Sequence, residues 1–141
     1  MLELIMCIDD DPITLMLFKK VVQKASFANK ITYTINGQEA ITLINGIGNT
    51  ENQEKKPDLI FLDLNMPVMD GWEFLDLFNA SNYFTLNNTK VIILTSTIDP
   101  EDIKKAKSYP NVIEFLSKPI TVEMLDYLKA KLGLIRYKVD F

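Results

Sequence analysis

The middle of the chain contains the run Pro57-Asp58-Leu59-Ile60-Phe61-Leu62-Asp63, in which an uninterrupted apolar segment stops at a carboxylate. A short apolar run after a proline is typical of a strand that is buried on both faces, as in parallel sheets covered by helices. We therefore predict a strand over 58–62, with Asp63 directly at its carboxyl end.

Similar apolar runs occur on both sides of this strand and alternate with amphipathic segments. The pattern indicates five βα units and therefore one α/β domain with a doubly wound, five-stranded parallel sheet. The further strands are predicted over 2–8, 31–35, 91–94 and 112–116. Helices are predicted over 12–27, 37–47, 70–78, 100–108 and 121–132. Polar loops are predicted over 48–56 and 79–89.

Apolar periodicity and helix-start signals define the helices further. The first helix should pack through one apolar face, formed by Leu17, Phe18, Val21, Val22 and Ala25. The last helix should pack through Met124, Leu125, Leu128 and Leu132. Three aspartates precede helices in the position of an N-cap, two of them with a following proline: Asp11, Asp70 and Asp99.

Composition excludes several classes of protein. The chain has 141 residues, a net charge of −4, one cysteine and no histidine. Without histidine, serine-type triads and most zinc sites are excluded. The acidic balance argues against nucleic acid as a direct partner. No run reaches the roughly 20 apolar residues of a membrane helix, and the apolar start lacks the basic residues of a signal peptide, so we expect a cytoplasmic protein. Cys7 should be a small core residue.

Polar residues follow four of the five predicted strands. Ligands of doubly wound sheets bind beyond the carboxyl ends of the strands, so these side chains should converge at one rim. Clustered carboxylates repel one another, and a cation with oxygen ligands relieves that repulsion, which indicates Mg²⁺. We assign Asp11 to helix capping and leave it out of the metal set. The residues concerned are Asp9, Asp10 and Asp11, then Asp63, then Thr95 and Ser96, then Ser117 and Lys118.

Four blocks of the chain, in order and spacing, resemble those of bacterial two-component receiver domains. The resemblance extends over residues 1–132, and the chain is most similar in kind to stand-alone, chemotaxis-type response regulators. It implies a flavodoxin-like fold with strand order 2-1-3-4-5. The blocks are Cys7-Ile8-Asp9-Asp10-Asp11-Pro12, Leu62-Asp63-Leu64-Asn65-Met66-Pro67-Val68-Met69-Asp70-Gly71, Ile93-Leu94-Thr95-Ser96 and Phe115-Leu116-Ser117-Lys118-Pro119.

The resemblance implies a metal-dependent phosphoacceptor. Asp63 would be the nucleophile that becomes an aspartyl phosphate. Asp10 would ligate Mg²⁺ directly, Asp9 would contribute through water, and the main-chain carbonyl of Asn65 would add a further oxygen. The chemistry is consistent, because a carboxylate can serve as a covalent nucleophile once its charge is compensated.

The resemblance also implies residues that receive and report the phosphoryl group. Thr95 would hydrogen-bond one phosphoryl oxygen and Lys118 would pair with another. A cis peptide before Pro119 would direct Lys118 inward. Phe115 lies where the family has an aromatic residue that changes rotamer on activation; a core strand aromatic is the alternative interpretation.

Rival functions are possible on the same residues. A phosphatase of the haloacid dehalogenase type needs a second carboxylic acid two residues after the nucleophile, and that position is Asn65. A pseudo-receiver that only binds proteins would lack the aspartate or the lysine, and both are present. A flavin-binding module would need a phosphate-binding loop after the first strand.

We therefore expect a single-domain response regulator over 1–132 with a short tail over 133–141 and no output domain. Such a protein is no enzyme beyond its own phosphorylation and dephosphorylation. The expected phosphodonor is a histidine kinase or a phosphotransfer protein. The signal would leave through the 100–132 face, to a downstream protein or to a second copy of the chain.

Overall fold

The computed structural model describes residues 1–48, 56–66, 69–80, 89–96 and 98–133. The predictions for the tail beyond 133 and for most of the two polar loops lie outside the described residues. Within the described ranges, no helix combines the length and the apolar character that a membrane crossing requires.

Five parallel strands form one sheet in the order β2-β1-β3-β4-β5, and each strand is followed by a helix. This confirms the predicted α/β class, the doubly wound sheet and the flavodoxin-like order. The elements in chain order are β1 (Leu2–Ile8), α1 (Pro12–Lys24), β2 (Ala28–Thr34), α2 (Gly37–Gly48), β3 (Leu59–Leu62), α3 (Gly71–Ala80), β4 (Lys90–Thr95), α4 (Pro100–Ala106), β5 (Val112–Ser117) and α5 (Val122–Lys131).

The apolar run of β3 forms the centre of the sheet and supplies side chains to both faces. Successive residues of a strand point to opposite faces. Ile60 and Leu62 therefore pack with α2 and α3, while Leu59 and Phe61 pack with α1 and α5. Phe61 contacts the ring of Phe18 edge-on, with centroids 4.9 Å apart. Two apolar layers thus enclose the central strand, as its composition predicts.

The first helix differs from its prediction in length and in one buried residue. It ends at Lys24 instead of continuing to 27, because Ser26 adopts a left-handed φ of 50° that no helix continues through. Phe18 and Val22 are fully buried, but Leu17 is 46% exposed, so its predicted burial is wrong. Leu17 precedes the buried Phe18 by one residue, and it lines a surface pocket together with Lys118.

The predicted helix starts are confirmed. The Asp11 side chain accepts a hydrogen bond from the Ile13 amide at 3.0 Å, and Asp99 accepts one from the Glu101 amide at 2.9 Å. Asp70 accepts a bond of 2.9 Å from the main-chain N–H of Glu73. These contacts satisfy amides that the first helical turn leaves without partners.

Candidate functional site

Main-chain hydrogen bonds fix the backbone at the carboxyl rim of the sheet. The Asp63 amide donates to the Ile8 carbonyl at 3.0 Å, and the Asp9 amide donates to the Thr34 carbonyl at 3.0 Å. These bonds continue the pairing of β3 with β1, and of β1 with β2, by one residue beyond the strands. The two aspartates are therefore held by the sheet itself rather than by a mobile loop.

Three carboxylates meet at this rim, as the sequence predicts. One oxygen each of Asp9, Asp10 and Asp63 lies within 4.8 Å of the others. Asp9 and Asp63 are 2% and 5% exposed, whereas Asp10 is exposed. A buried group of like charges is costly unless a cation neutralises it. A donor set made only of carboxylate oxygens fits a hard divalent ion, so the residues present are able to bind a metal.

Lys118 supplies a positive charge to the same cluster. Its Nζ lies 2.5 Å from Asp9 Oδ2 and 3.3 Å from Asp63 Oδ2. The peptide bond between Lys118 and Pro119 is cis, as predicted, and the Lys118 amide donates to the Thr95 carbonyl at 2.8 Å. The sequence predicts that Lys118 pairs with a phosphoryl group at Asp63; it does not predict the shorter contact with Asp9. No sequence signal distinguishes these two carboxylates as partners of the lysine.

The second oxygen of each buried carboxylate is held by the main chain. Asp9 Oδ1 accepts a hydrogen bond from the Asp11 amide at 2.9 Å, and Asp63 Oδ1 accepts one from the Asn65 amide at 3.3 Å. Each carboxylate therefore presents one oxygen to the backbone and the other to Lys118. This arrangement fixes the orientation of both groups in the cluster.

Burial and charge shift the pKa values of the central groups. Burial raises the pKa of Asp63 above its usual range, and the charge of Asp9 adds to this effect, while Lys118 opposes it. Burial alone would lower the pKa of Lys118, but the hydrogen bond to Asp9 and the charges of Asp9 and Asp63 outweigh it and raise that pKa. Lys118 is therefore a permanent ammonium in the site.

The predicted switch residues lie close to the rim in different environments. Thr95, the last residue of β4, is buried, and its hydroxyl has no hydrogen-bond partner among the described residues. Phe115 is half-buried and packs against the core layer that contains α2 and α3. A buried hydroxyl without a hydrogen-bond partner is destabilising, so a new acceptor within reach of the Thr95 hydroxyl would be stabilising.

Gly71 brings the start of α3 against the backbone of Asp63. The Gly71 amide donates to the Leu64 carbonyl at 3.0 Å. A Cβ at position 71 would lie 2.7 Å from the Asp63 carbonyl oxygen and 2.8 Å from Leu64 Cα. Only glycine fits here, which explains the aspartate-glycine pair that closes the second sequence block.

The comparisons with known proteins agree with this geometry. The family model of the response regulator receiver domain matches residues 5–128, which is most of the chain. The chain belongs to that family. It is therefore a receiver domain of the response regulators of two-component signalling, and the predicted membership is confirmed.

Individual response regulators and one solved structure are similar to this chain in sequence and in fold. The chain is 30% identical over 137 residues to a probable C4-dicarboxylate response regulator of Halalkalibacterium halodurans, and these residues cover 97% of this chain and 52% of that protein. A protein of the same description from Priestia megaterium is 26% identical over 86% of this chain and 47% of its own length. The chain thus spans about half the length of these curated relatives. The crystal structure of a two-component response regulator from Cytophaga hutchinsonii superposes with a TM-score of 0.84 at 30% identity, covering 95% of this chain and 98% of the other.

Proposed function

We propose that Asp63 accepts a phosphoryl group in a Mg²⁺-dependent reaction and that this modification switches the protein between partner-binding states. The observation that carries the proposal is the contact set of Asp63. Its Oδ2 lies 3.3 Å from the Lys118 ammonium, and one of its oxygens lies within 4.8 Å of two further carboxylates.

The reaction is a transfer between two nucleophiles. An Asp63 carboxylate oxygen attacks phosphorus of a phosphohistidine on the donor protein and forms an O–P bond. The N–P bond of the donor breaks, and its electron pair stays on the imidazole nitrogen, which takes up a proton. No acid or base of this chain has to act on the leaving group, consistent with the absence of histidine.

The metal would be held by Asp9, Asp10 and Asp63, with the main-chain carbonyl of Asn65 as a proposed fourth ligand. Mg²⁺ bound there supplies two positive charges that offset the carboxylates and the incoming phosphoryl oxygens. We retain the assignment that Asp10 ligates directly and Asp9 through water. The exposure of Asp10 and the contact of Asp9 with Lys118 support this difference.

Lys118 and Thr95 would receive the phosphoryl group. The ammonium of Lys118 already lies beside Asp63 Oδ2 and pairs with a phosphoryl oxygen with a short movement of its flexible chain. The buried hydroxyl of Thr95 gains the hydrogen-bond partner that it lacks in the unmodified chain. That gain favours a conformation in which Thr95 and the residues after it move toward Asp63.

An apolar surface beside the rim supports the proposal that a phosphodonor protein docks there. Lys118 contributes to a mostly apolar pocket that is lined by Thr14, Leu17, Phe18, Leu94, Lys118, Pro119 and Ile120. Ile13, Met16 and Leu17 of α1 are exposed apolar residues that follow the acidic Asp10 and Asp11 along the chain. A histidine kinase or a phosphotransfer protein is the donor class that we propose for this surface.

The output surface is the 100–132 face, formed by α4, β5 and α5. Phe115 connects this face to the core, and α4 follows Thr95 closely along the chain. The proposed readers are a downstream protein or a second copy of the chain. The chain then works as a signalling phosphoacceptor in the cytoplasm, without turnover of an external substrate.

Beryllofluoride, which mimics a phosphoryl group on aspartate, tests the proposal. With Mg²⁺ present, it should raise the melting temperature of the wild type, because it binds only the folded state. Asp63→Asn should show no such increase, since it lacks the carboxylate oxygen to which the fluoride complex attaches. If Asp63→Asn gains as much stability as the wild type, the acceptor is a different residue and the proposal is wrong.

A further inference from the structure

Four side chains join α3 to the carboxyl end of α4. The rings of Trp72 and Tyr109 stack with centroids 5.8 Å apart, and Lys105 Nζ lies 4.4 Å from the centroid of the Trp72 ring. The Tyr109 hydroxyl donates a hydrogen bond of 2.7 Å to Asp76 Oδ1. We call these four residues the α3–α4 clasp.

The clasp is important for the position of α4 because this helix is otherwise weakly anchored. Of its seven residues, Pro100–Ala106, only Ala106 is buried. Tyr109 follows the helix directly: its amide donates to the Ala106 carbonyl at 3.1 Å, and its carbonyl accepts from the Val112 amide at 3.1 Å. Tyr109 therefore joins the end of α4 to α3 through its side chain and to β5 through its backbone.

The α3 side of the clasp is fixed to the acceptor residue. Gly71 packs against the Asp63 carbonyl and the Leu64 backbone without room for a side chain, and Trp72 is the next residue. The start of α3 thus cannot shift without moving the backbone of Asp63. Trp72 therefore ties α4 to a part of the molecule that is rigid relative to the phosphoacceptor site.

The opposite end of α4 is connected to Thr95. Only residues 96–99 separate Thr95 from the first residue of the helix, and Asp99 caps it through the Glu101 amide. A movement of Thr95 and its loop toward a phosphoryl group on Asp63 therefore pulls on the amino end of α4, while the clasp holds its carboxyl end.

We propose that the α3–α4 clasp holds α4 in its resting position and thereby lowers the affinity of the Asp63 site for a phosphoryl group. The inference rests on the proposed function, because it requires that Asp63 is the acceptor and that Thr95 moves toward it. Trp72, Asp76, Lys105 and Tyr109 are positioning residues: they act through α4 and Thr95, not on the phosphoryl group itself.

The direction of the effect follows from linkage. A ligand that binds only the moved conformation has an apparent affinity reduced by the fraction of molecules in that conformation. Weakening the clasp raises this fraction and tightens binding. The Tyr109 hydroxyl is a lasting donor, since burial, the hydrogen bond to Asp76 and the charges of Asp76 and Asp70 raise its pKa to about 12.

The test is a calorimetric titration of the full chain with beryllofluoride at saturating Mg²⁺. Tyr109→Phe removes the hydrogen bond to Asp76 and keeps the ring stacked on Trp72. We expect it to bind beryllofluoride about three- to tenfold more tightly than the wild type. Tyr33→Phe is the matched control, because it deletes a tyrosine hydroxyl on β2 that has no partner among the described residues. It should bind with wild-type affinity.

The fluorescence emission of Trp72 provides a second measurement. It should change on beryllofluoride binding only if the clasp opens, and not if the four residues merely stabilise the fold. Trp72 is the one tryptophan of the sequence, so its emission reports the clasp directly. Beryllofluoride should change the Trp72 emission of the wild type as Lys105 and Tyr109 leave the ring. In Tyr109→Phe the change should be complete at a lower beryllofluoride concentration.

The possible results distinguish a failure of the clasp proposal from a failure of the proposed function on which it rests. If the wild type binds beryllofluoride but Tyr109→Phe binds it equally or more weakly, the clasp has no such role and the proposed function stands. An unchanged Trp72 emission at saturation of the wild type would equally overturn the clasp. If the wild type does not bind beryllofluoride at all, the proposed function is wrong and the inference falls with it.

Discussion

The buried Asp9 and Asp63 and the partly buried Lys118 form a group of two carboxylates and one ammonium with a net negative charge. Lys118 lies closer to Asp9 than to Asp63, by 2.5 Å against 3.3 Å. Asp63, the proposed acceptor, is therefore less compensated by Lys118 than Asp9 is, and burial raises its pKa. The net negative charge of this group favours binding of a further cation. The backbone hydrogen bonds of both aspartates prevent the two carboxylates from moving apart.

The sequence predicts which residues lie at the carboxyl rim of the sheet, but it does not predict which carboxylate contacts Lys118. The sequence predicts the aspartates, Thr95 and Lys118 at the rim because each follows a predicted strand. The structure brings Asp9, Asp10, Asp63 and Lys118 together there. Which carboxylate takes the lysine depends on side-chain rotamers and on distances between neighbouring strands. Such distances are properties of the folded sheet, not of the order of residues.

Gly71 should be far less tolerant of alanine than Gly37, although both begin a helix. At Gly71 the added methyl group meets the rigid backbone of Asp63 and Leu64 at 2.7–2.8 Å. At Gly37 the nearest atoms, at 2.9 Å, belong to the flexible Met69 side chain. We expect Gly71→Ala to lower the free energy of unfolding by about 1–3 kcal/mol, as for overpacked sites.

Urea denaturation of the two variants provides the measurement. Gly37→Ala should lose clearly less stability than Gly71→Ala, because Met69 is able to move aside. Equal losses, or a larger loss at Gly37, would mean that the contact between α3 and Asp63 is not as rigid as described.

At the scale of elements, the buried strands β1 and β3 are predicted closely, whereas the second strand and the end of the first helix are not. The bounds of β1 match the prediction and β3 differs by one residue, because a buried strand is an apolar run with polar ends. The predicted strand 31–35 is wrong at its start, since β2 begins three residues earlier, at Ala28, among polar residues. The end of α1 was misplaced because Ala25 and Phe27 continue the apolar pattern past the true end. Phe27 is buried, but it follows the left-handed turn at Ser26 and does not belong to the helix.

The edge strand β5 is tied to α5 by a polar network around Glu114. Lys131 Nζ lies 2.7 Å from Glu114 Oε2 and 2.8 Å from the Ile113 carbonyl oxygen, and the Tyr127 hydroxyl donates to Glu114 at 2.9 Å. Burial alone would raise the pKa of Glu114, but the hydrogen bonds from Lys131 and Tyr127 outweigh it and lower that pKa below the ordinary 4.5.

This lowered pKa predicts a pH-dependent stabilisation by the Glu114–Lys131 pair. A carboxylate with a depressed folded-state pKa contributes stability above its unfolded pKa and loses it as the pH falls through the folded value. A double-mutant cycle of Glu114→Gln and Lys131→Met should therefore give a coupling of about 0.5–1 kcal/mol near neutral pH. The coupling should vanish well below pH 4.5. A coupling that is independent of pH would contradict the assignment.

At the scale of the whole molecule, the two apolar layers hold a sheet whose carboxyl rim concentrates negative charge. The fold class and strand order follow from the alternation of elements and from the family resemblance. The α3–α4 clasp does not, because Trp72 and Tyr109 are distant in the chain and their rings meet only in the folded protein. Surface contacts between elements distant in the chain leave no periodic signal.

Metal binding should be visible as a global stabilisation. The proposed Mg²⁺ ion would bind the clustered carboxylates of the folded chain and would find no such cluster in the unfolded chain. At a hundred times its dissociation constant it should therefore stabilise the folded state by about 2.7 kcal/mol. Thermal melts with and without Mg²⁺ should show this increase for the wild type. Asp10→Asn should lose most of it, whereas Asp11→Asn, which changes only a helix cap, should retain it. Equal responses of the two variants would exclude Asp10 as a ligand.

Intact-mass spectrometry after incubation with acetyl phosphate and Mg²⁺ tests the central claim most directly. The wild type should gain the mass of one phosphoryl group, and so should Asp70→Asn, whose aspartate only caps α3. Asp63→Asn should gain none, because the nucleophilic carboxylate is absent. A phosphoryl group on Asp63→Asn, or none on the wild type, would contradict the assignment of Asp63 as the acceptor.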